Sequence, residues 1–496
     1  MVRRDYILAI DQGTTSSRAF LFDRRGRVAA QAQQEFRQSY PRQGWVEHDP
    51  DEIWASVVSV IRSAVRLARI KPTRIAAIGI TNQRETTVLW ERLTSRPVHP
   101  AIVWQCRRTA EICQRLKIQG LEPVFRRATG LVLDAYFSGP KITWLLERVP
   151  GLRARAEQGK ICFGTMDSWL LWQLTKGRAH ATDVTNASRT LMFNIRSLSW
   201  DRRLLDILHI PDRILPEVRP SCGEFGRTAA GVAGLPAGIP IMGIAGDQQA
   251  ALFGQRCTTA GAIKNTYGTG CFLLLHTGRK PVSSRHGLIS TVACDPVGRP
   301  AYALEGSVFI AGAAIQWLRD ELGLVAHAAE TEAIAEAQDD HHGVYVVPAL
   351  AGLGAPYWRP DARGLVCGLT RGTTKAQIIR ATLEAIAYQT RDVVTAMRQD
   401  SGLRIKTLRV DGGACRNNFL MQFQSDMLGC EIARPRMVET TVLGAAQLAG
   451  LAVGVWSRRQ LDQMPAIDRT FHPRRSESER ERLYRGWQQA VRRALL

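Results

Sequence analysis

The stretch Tyr6–Asp23, YILAIDQGTTSSRAFLFD, decides how the rest of the chain is read: two apolar runs are joined through a tight polar turn carrying one carboxylate and four hydroxyls. Tyr6 to Ile10 is too short for an independent helix and is apolar throughout, as a strand covered on both faces should be. Ala19 to Phe22 resumes the pattern after the turn. Gly13 lets the backbone bend, while Thr14, Thr15, Ser16 and Ser17 offer hydroxyl and amide donors suited to phosphate oxygens. Asp11, at the strand end, faces the same space and suits a hydrated Mg2+, which prefers one or two carboxylates plus substrate phosphates. Taken alone, Gly-Thr-Thr-Ser more often marks a polar turn with no ligand. The second half of the chain shifts that balance.

That half opens with an echo. Lys264–Leu275, KNTYGTGCFLLL, is again a strand, a Gly-Thr-Gly turn and a strand, so the chain reads as internally duplicated, with the boundary near Gln255 to Gly261. Leu408 to Val410 is a strand running into Asp411, Gly412 and Gly413, with Asn417 opening the next helix; paired glycines at such a turn permit close backbone approach to a nucleotide. Ile310 to Leu318 is expected to be a helix with small residues on one side. Neither a Walker A motif nor G-x-G-x-x-G occurs, so P-loop and Rossmann chemistry are not offered. Two hairpins and a Gly-Gly turn from opposite halves suggest a nucleotide clamped between two lobes.

The first half alternates strands and helices. Glu52 to Ile70 has the apolar periodicity of an amphipathic helix, and Ile75 to Thr81 is a buried strand ending in Asn82, Gln83, Arg84 and Glu85. Ala101 to Val103 ends in Trp104, and Asp134 and Tyr136 precede a short helix with Lys141 and Trp144. Polar residues at successive strand ends are what an open α/β sheet offers a ligand. Arg84 beside Glu85 equally fits a surface ion pair, and Trp104 fits a core. A helix is expected near Asp167, and Thr182 to Ser188 reads as a polar loop. In Ile241–Gly254, IMGIAGDQQAALFG, Asp247 falls between strand and helix, where both a helix N-cap and a general base facing the crevice are open readings.

With 496 residues the chain is expected to form two or three domains, and no apolar run approaches the roughly 18 residues of a membrane span. The apolar run after Met1–Asp5 is too brief for a signal peptide. The ten cysteines show no metal-type spacing and sit singly in apolar contexts such as Cys162 and Cys367, so buried reduced thiols and a cytoplasmic location are expected. The net charge is +21, but its 57 Arg and 9 Lys are spread along the chain, densest in Arg474 to Arg493. Without a zinc-finger, basic-zipper or RNA-binding signature, this reads as a solvated Arg-rich surface and not a specific nucleic-acid site.

DQGTTSSRA at Asp11, GWVEHDP at Gly44, GITNQRET at Gly79, AIVWQCRRTAEIC at Ala101, GIAGDQQAALFGQ at Gly243, KNTYGTGCF at Lys264, GLGAPYW at Gly352, RATLEAIAYQTRDV at Arg380 and RVDGGA at Arg409 together resemble the FGGY carbohydrate kinase family. Within it, the run Gln83–Glu85 with Trp104 and Tyr136 resembles the branch that acts on glycerol. The resemblance covers Tyr6 to about Trp456. It implies an α/β fold of two actin-like (ribonuclease H-like) ATPase domains: 1–255 with glycerol and the phosphate hairpin, 256–496 with the nucleotide, and a nucleotide and substrate cleft between them. It also implies ATP-dependent phosphorylation of glycerol to sn-glycerol 3-phosphate, with Mg2+ at Asp11 and Asp247 as catalytic base. Thr14, Thr15, Ser16 and Arg18 would contact the phosphates, and Thr269 would grip them from the second domain. Gly312, Gln316, Gly413 and Asn417 would line the nucleotide pocket. Arg84, Glu85, Tyr136, Asp247 and Gln248 would bind the glycerol hydroxyls, with Trp104 and Phe272 packed on the carbon chain. Glycerol and ATP are the expected partners of a homodimer or homotetramer, with no specific nucleic acid and no membrane insertion. Departures from the family pattern are Ala135, Pro140 and Cys415-Arg416. Some members are inhibited by fructose 1,6-bisphosphate at a glycine-rich loop with an arginine; the aligned Gly231–Pro240 lacks a cation, so such binding is expected to be weak, with Arg227 alone placed to compensate.

Overall fold

β1 (Tyr6–Gln12) and β2 (Ser16–Phe22) form the opening hairpin, with Asp11 opposite Arg18 across the ladder and the Gly13 N–H donating to the Ser16 carbonyl at 2.9 Å. The computed structural model describes residues 4–340, 342–464 and 467–496. β3 (Val28–Glu35) joins β2, and β4 (Ile75–Asn82), β5 (Cys222–Arg227) and β6 (Pro240–Gly246) complete a sheet of order β5-β6-β4-β1-β2-β3. In it β1, β4 and β6 run parallel. Every residue of β4 is buried, which accounts for its unbroken run of apolar and small residues. α1 (Pro50–Leu67) starts two residues before its periodicity does, because Asp49 caps it by accepting from the N–H groups of Asp51 and Glu52 and Pro50 suits the first turn.

The second half repeats the plan. β7 (Ile263–Tyr267), β8 (Cys271–Gly278), β9 (Ile289–Val292), β10 (Tyr302–Val308), β11 (Thr407–Asp411), β12 (Glu431–Pro435) and β13 (Ile467–Phe471) are arranged β9-β10-β8-β7-β11-β12-β13. Again a hairpin takes a third antiparallel strand on one side and two parallel strands on the other. The duplication expected from the two Gly-Thr turns is therefore present in the topology.

The helices that position the site are α2 (Ser138–Arg148), α3 (Met166–Thr175), α4 (Val184–Ala187), α5 (Asp247–Gly254), α6 (Gly312–Asp320), α7 (Lys375–Ser401), α8 (Asn418–Leu428), α9 (Thr440–Ala452) and α10 (Glu477–Ala494). α6 begins at Gly312 and not at Ile310, because Ala311 takes a non-helical conformation. Thr182 to Ser188 is not a loop: Ala181–Asp183 pairs with Glu217–Arg219, and α4 follows, capped by Asp183. Cys367 is half-buried, against the expectation of a buried thiol, and eight of the ten free cysteines are buried.

α9 leaves its own sequence half and packs on the first sheet. Val442, Ala446, Ala449 and Trp456 share a core with Ile7, Ala9, Phe20 and Phe22, covering the sheet face opposite α1. Backbones meet directly there: a Cβ on Gly79 would stand 2.2 Å from the Ala445 carbonyl oxygen, and one on Gly444 1.9 Å from that of Ala250 in α5. The basic C-terminal run is the solvent face of α10, whose Leu483, Tyr484, Trp487, Ala490 and Val491 are buried. Asp392 of α7 holds it by accepting from Trp487 Nε1 at 2.9 Å and from the Tyr484 hydroxyl.

Candidate active site

β4 and β6 are adjacent, and their ends deliver Arg84, Glu85 and Asp247 to one place. Arg84 is 2 % exposed, so it is not half of a surface ion pair. Its Nε stands 3.1 Å from Asp247 Oδ1 and 3.9 Å from Glu85 Oε1. Its Nη1 and Nη2 donate to Glu305 Oε2 and Oε1 at 2.6 and 3.0 Å. Glu85 holds a left-handed backbone at φ +63°, costly for a residue with a Cβ. Its carbonyl is gripped by Ser138 Oγ at 3.0 Å and Lys141 Nζ at 3.5 Å, and its Oε1 accepts from Arg189 Nε at 2.7 Å.

Asp247 is the first residue of α5 and Gly246 is the N-cap, so the N-cap reading does not hold. The Asp247 Oδ1 accepts from the Gln248 N–H at 2.7 Å. Burial pushes the Asp247 carboxyl up, against the opposing pull of Arg84. Burial also raises Glu85, against Arg84 and Arg189. Glu305 goes the other way: burial would raise it, but Arg189 and Arg84 hold it down at about 2. Gln248 is 7 % exposed and its Oε1 accepts from Lys264 Nζ, an ammonium that burial lowers to about 8 against the pull of Asp411 and Asp247.

Two aromatic rings meet beside this cluster. Trp104 and Tyr136 meet edge to face at 5.5 Å, and Trp104 Nε1 donates to Thr14 Oγ1 at 3.0 Å, joining the wall to the first hairpin. Phe272 lies on β8 opposite Ser307, two residues from the Leu274–Glu305 pair, so Phe272 and Glu305 share a sheet face.

In the first hairpin, Thr15 is exposed, Thr14 half-buried and Ser16 buried. Ser17 departs from the expected donor set: it is fully buried, and its hydroxyl accepts from Ser56 Oγ of α1 at 2.8 Å. Arg18 Nη1 pairs with Glu439 at 2.6 Å, just ahead of α9. The second turn is tied to α6: the Thr269 carbonyl accepts from Ala311 and Ala313 at 2.8 and 3.1 Å, and the Gly268 carbonyl from Gly312 at 3.0 Å. Gln316 is exposed one turn along α6. Gly412 takes φ +83° where a Cβ would meet the Tyr267 carbonyl oxygen at 2.4 Å, while Gly413 beside it is exposed with open space around it. The Asn417 side chain caps α8, accepting from Leu420 N–H at 2.9 Å, and donates to Thr331 Oγ1 at 3.2 Å.

Four residues of this cluster, Arg189, Gln249, Lys264 and Glu305, went unread in the sequence. Glu305 carried a usable signal, a lone carboxylate inside the strand YALEGSV, whereas Arg189 follows a stretch misread as loop. At the glycine loop, the exposed Arg227 pairs with Glu224 at 2.8 Å, and its Nη1 reaches back to the Gly238 carbonyl at 3.5 Å. Arg62 and Arg66 of α1, with Arg69 just past its end, line a cavity of about 370 Å³ with Ala233 and Gly234.

Two matching α/β lobes, each presenting a Gly-Thr hairpin, with carboxylates at the strand ends between them, define the class: a two-lobed kinase of the actin-like ATPase fold. Residues 6–254 match the FGGY family of carbohydrate kinases, N-terminal domain, and residues 263–453 match the C-terminal domain. The chain belongs to that family. It is 59 % identical over 494 residues to a glycerol kinase of Halorhodospira halophila, covering 100 % of this chain and 97 % of that protein. It is 60 % identical over 490 residues to one of Petrotoga mobilis, covering 99 % and 98 %. The crystal structure of Plasmodium falciparum glycerol kinase with ADP superposes with a TM-score of 0.94 at 36 % identity, covering 100 % of this chain and 99 % of that one. A gluconate kinase from Lactobacillus acidophilus, at 22 % identity and TM-score 0.89 over 99 % and 98 % of the two chains, shares the fold.

Proposed function

We infer that this chain transfers the γ-phosphoryl group of ATP to a terminal hydroxyl of glycerol, giving sn-glycerol 3-phosphate and ADP. The observation that carries the assignment is full-length identity of 59 to 60 % to glycerol kinases, and the cluster of Arg84, Glu85 and Asp247 near the Trp104 and Tyr136 rings suits a small triol. Hydroxyls need fixed partners and CH edges need an apolar wall; a wrong acceptor leaves buried groups unpaired at about 1 to 3 kcal/mol each.

In our reading Asp247 accepts the proton of the attacking hydroxyl as its oxygen bonds to the γ-phosphorus and the bond to the β–γ bridging oxygen breaks. Arg84, Glu85, Tyr136 and Gln248 hold the hydroxyls, and Trp104 and Phe272 hold the carbon chain. Thr14, Thr15, Ser16, Arg18 and Thr269 face the phosphates, and Gly312, Gln316, Gly413 and Asn417 the nucleoside side of the cleft. For Arg18 this requires release from Glu439. Among the described residues no three His, Cys, Asp or Glu side chains gather as a metal cage, and Mg2+ bound through substrate phosphates does not need one. Asp11 fits that ion: burial lifts its carboxyl to about 7, and Asp247 and Glu439 crowd it against the pull of Arg18 alone. Bound at Asp11, Mg2+ would neutralise charge on the phosphate chain.

The division into 1–255 and 256–496 is kept as a proposal, with α9 lent to the first sheet. So are a cytoplasmic homodimer or homotetramer and the reading of the +21 charge as a solvated surface. No helix among the described residues is long and apolar enough to cross a membrane. An ATP-coupled assay across glycerol, dihydroxyacetone, xylulose and gluconate tests the activity. The highest kcat/KM is expected for glycerol, and a preference for xylulose or gluconate would overturn the assignment.

A further inference from the structure

Glu305 lies on β10 of the second sheet, yet both of its oxygens are spent on the first half of the chain. Arg84 binds it through two nitrogens, and Arg189 Nη2 donates to the same Oε1 at 2.9 Å. Arg189 Nε in turn holds Glu85 Oε1. The contacts run Glu85, Arg189, Glu305, Arg84, Asp247, and the 3.9 Å approach of Arg84 Nε to Glu85 Oε1 closes the first four into a ring. The first four side chains are 2 % exposed or less.

Burying so many charges is a poor route to stability, because desolvation offsets most of the mutual attraction. What the arrangement does supply is orientation. A guanidinium plane gripped by two parallel N–H···O bonds cannot rotate, so the Arg84 Nε edge is fixed toward Asp247. A single Nε bond from Arg189 tethers Glu85 Oε1 at 2.7 Å. The Arg189 guanidinium lies over the Phe137 and Tyr136 rings at 5.3 and 5.9 Å, and its Nη1 is buried without a hydrogen-bond partner. That N–H belongs to the cluster where the acceptor hydroxyls are read.

We propose that Glu305, acting through Arg84 and Arg189, is the positioning residue that sets the geometry of glycerol recognition, supplied by the second half of the chain. The proposal rests on the glycerol reading above. Glu305 does not touch the substrate; it decides where Arg84 and Glu85 point, and so how sharply the site rejects an acceptor missing one hydroxyl.

Glu305→Gln keeps the side-chain shape but places an amide N–H against an arginine donor. It is expected to raise the glycerol KM about tenfold or more and to shrink the kcat/KM preference for glycerol over propane-1,2-diol by about tenfold or more, while the ATP KM moves less than about threefold. Glu305→Asp keeps the charge but withdraws the carboxylate by one methylene, so it carries the test if the Gln variant does not fold. It too should raise the glycerol KM and lose discrimination, at a melting temperature near that of the parent. Normal glycerol KM and discrimination in Glu305→Asp would show that only charge balance matters and overturn the positioning role. Arg84→Ala separates the two levels of inference. If it raises the glycerol KM while both Glu305 variants behave as the parent, the positioning role fails and the glycerol site stands. If Arg84→Ala leaves the glycerol KM unchanged, the glycerol site itself is wrong and the role of Glu305 falls with it.

Discussion

Arg84 Nε stands 3.1 Å from Asp247 Oδ1, each residue at the end of one of two neighbouring parallel strands. The guanidinium keeps this buried carboxyl ionisable against a burial penalty that pushes it up, and a base raised toward the working pH is the better proton acceptor. Gly246 and not Asp247 is the N-cap of α5, although Asp247 Oδ1 accepts from the Gln248 N–H in its first turn at 2.7 Å.

Asp247→Asn is therefore expected to lower kcat by roughly 10²- to 10⁴-fold with ADP affinity nearly intact, read by steady-state kinetics and nucleotide titration. Near-normal turnover with a lowered melting temperature would assign Asp247 a structural role instead.

Trp104 Nε1 donates to Thr14 Oγ1 at 3.0 Å, joining the two proposed contact sets for acceptor and phosphate. Trp104→Phe and Thr14→Val each remove that bond, so their effects on kcat/KM should not add. A double-mutant cycle is expected to give a coupling of about 0.5 to 1.5 kcal/mol. Strict additivity would mean that wall and hairpin act independently.

Asp167 is fully buried, accepts from Thr165 and Thr182 hydroxyls, and is lifted to about 7 by burial, with Asp183 adding to the shift. Below about pH 4 it is protonated both folded and unfolded, and costs nothing. As pH rises from about 4 to about 7 the unfolded chain ionises first, so stability is lost through that window and the loss stays constant above it. Relative to the parent, Asp167→Asn should gain roughly 2 to 4 kcal/mol of unfolding free energy between pH 4 and pH 8, measured by denaturant titration. A difference that does not change with pH would show that Asp167 titrates normally.

Gly444 sits inside a helix, where alanine would ordinarily be favoured by about 1 kcal/mol. Here its Cβ would stand 1.9 Å from the Ala250 carbonyl oxygen. Gly444→Ala is expected to destabilise by about 1 to 3 kcal/mol. Gly372→Ala, exposed and with its nearest neighbour at 4.0 Å, should stay within about 0.5 kcal/mol in the same denaturant assay. A neutral or stabilising Gly444→Ala would mean that α9 does not pack on α5 as described.

By itself the sequence determined what is written in contiguous residues. The two hairpins, the Asp-Gly-Gly turn, the strand carrying Arg84 and Glu85, and the duplication they imply are all local patterns, in which alternation and turn chemistry act over fewer than about ten residues. Tertiary structure alone decided the rest. Ser17 faces α1 because β2 alternates, and nothing in Thr-Thr-Ser-Ser says which hydroxyls fall inside. α9 belongs to the first sheet because Gly79 admits the Ala445 backbone, and Gly444 admits that of Ala250 in α5, a complementarity between segments far apart in the chain. Beside Glu85 in sequence, Arg84 left a surface pair open as the alternative to an acceptor contact; its bidentate partner is Glu305, on a strand of the other lobe. A buried charge must find its opposite in space, and for Arg84 that is a carboxylate that only folding brings near.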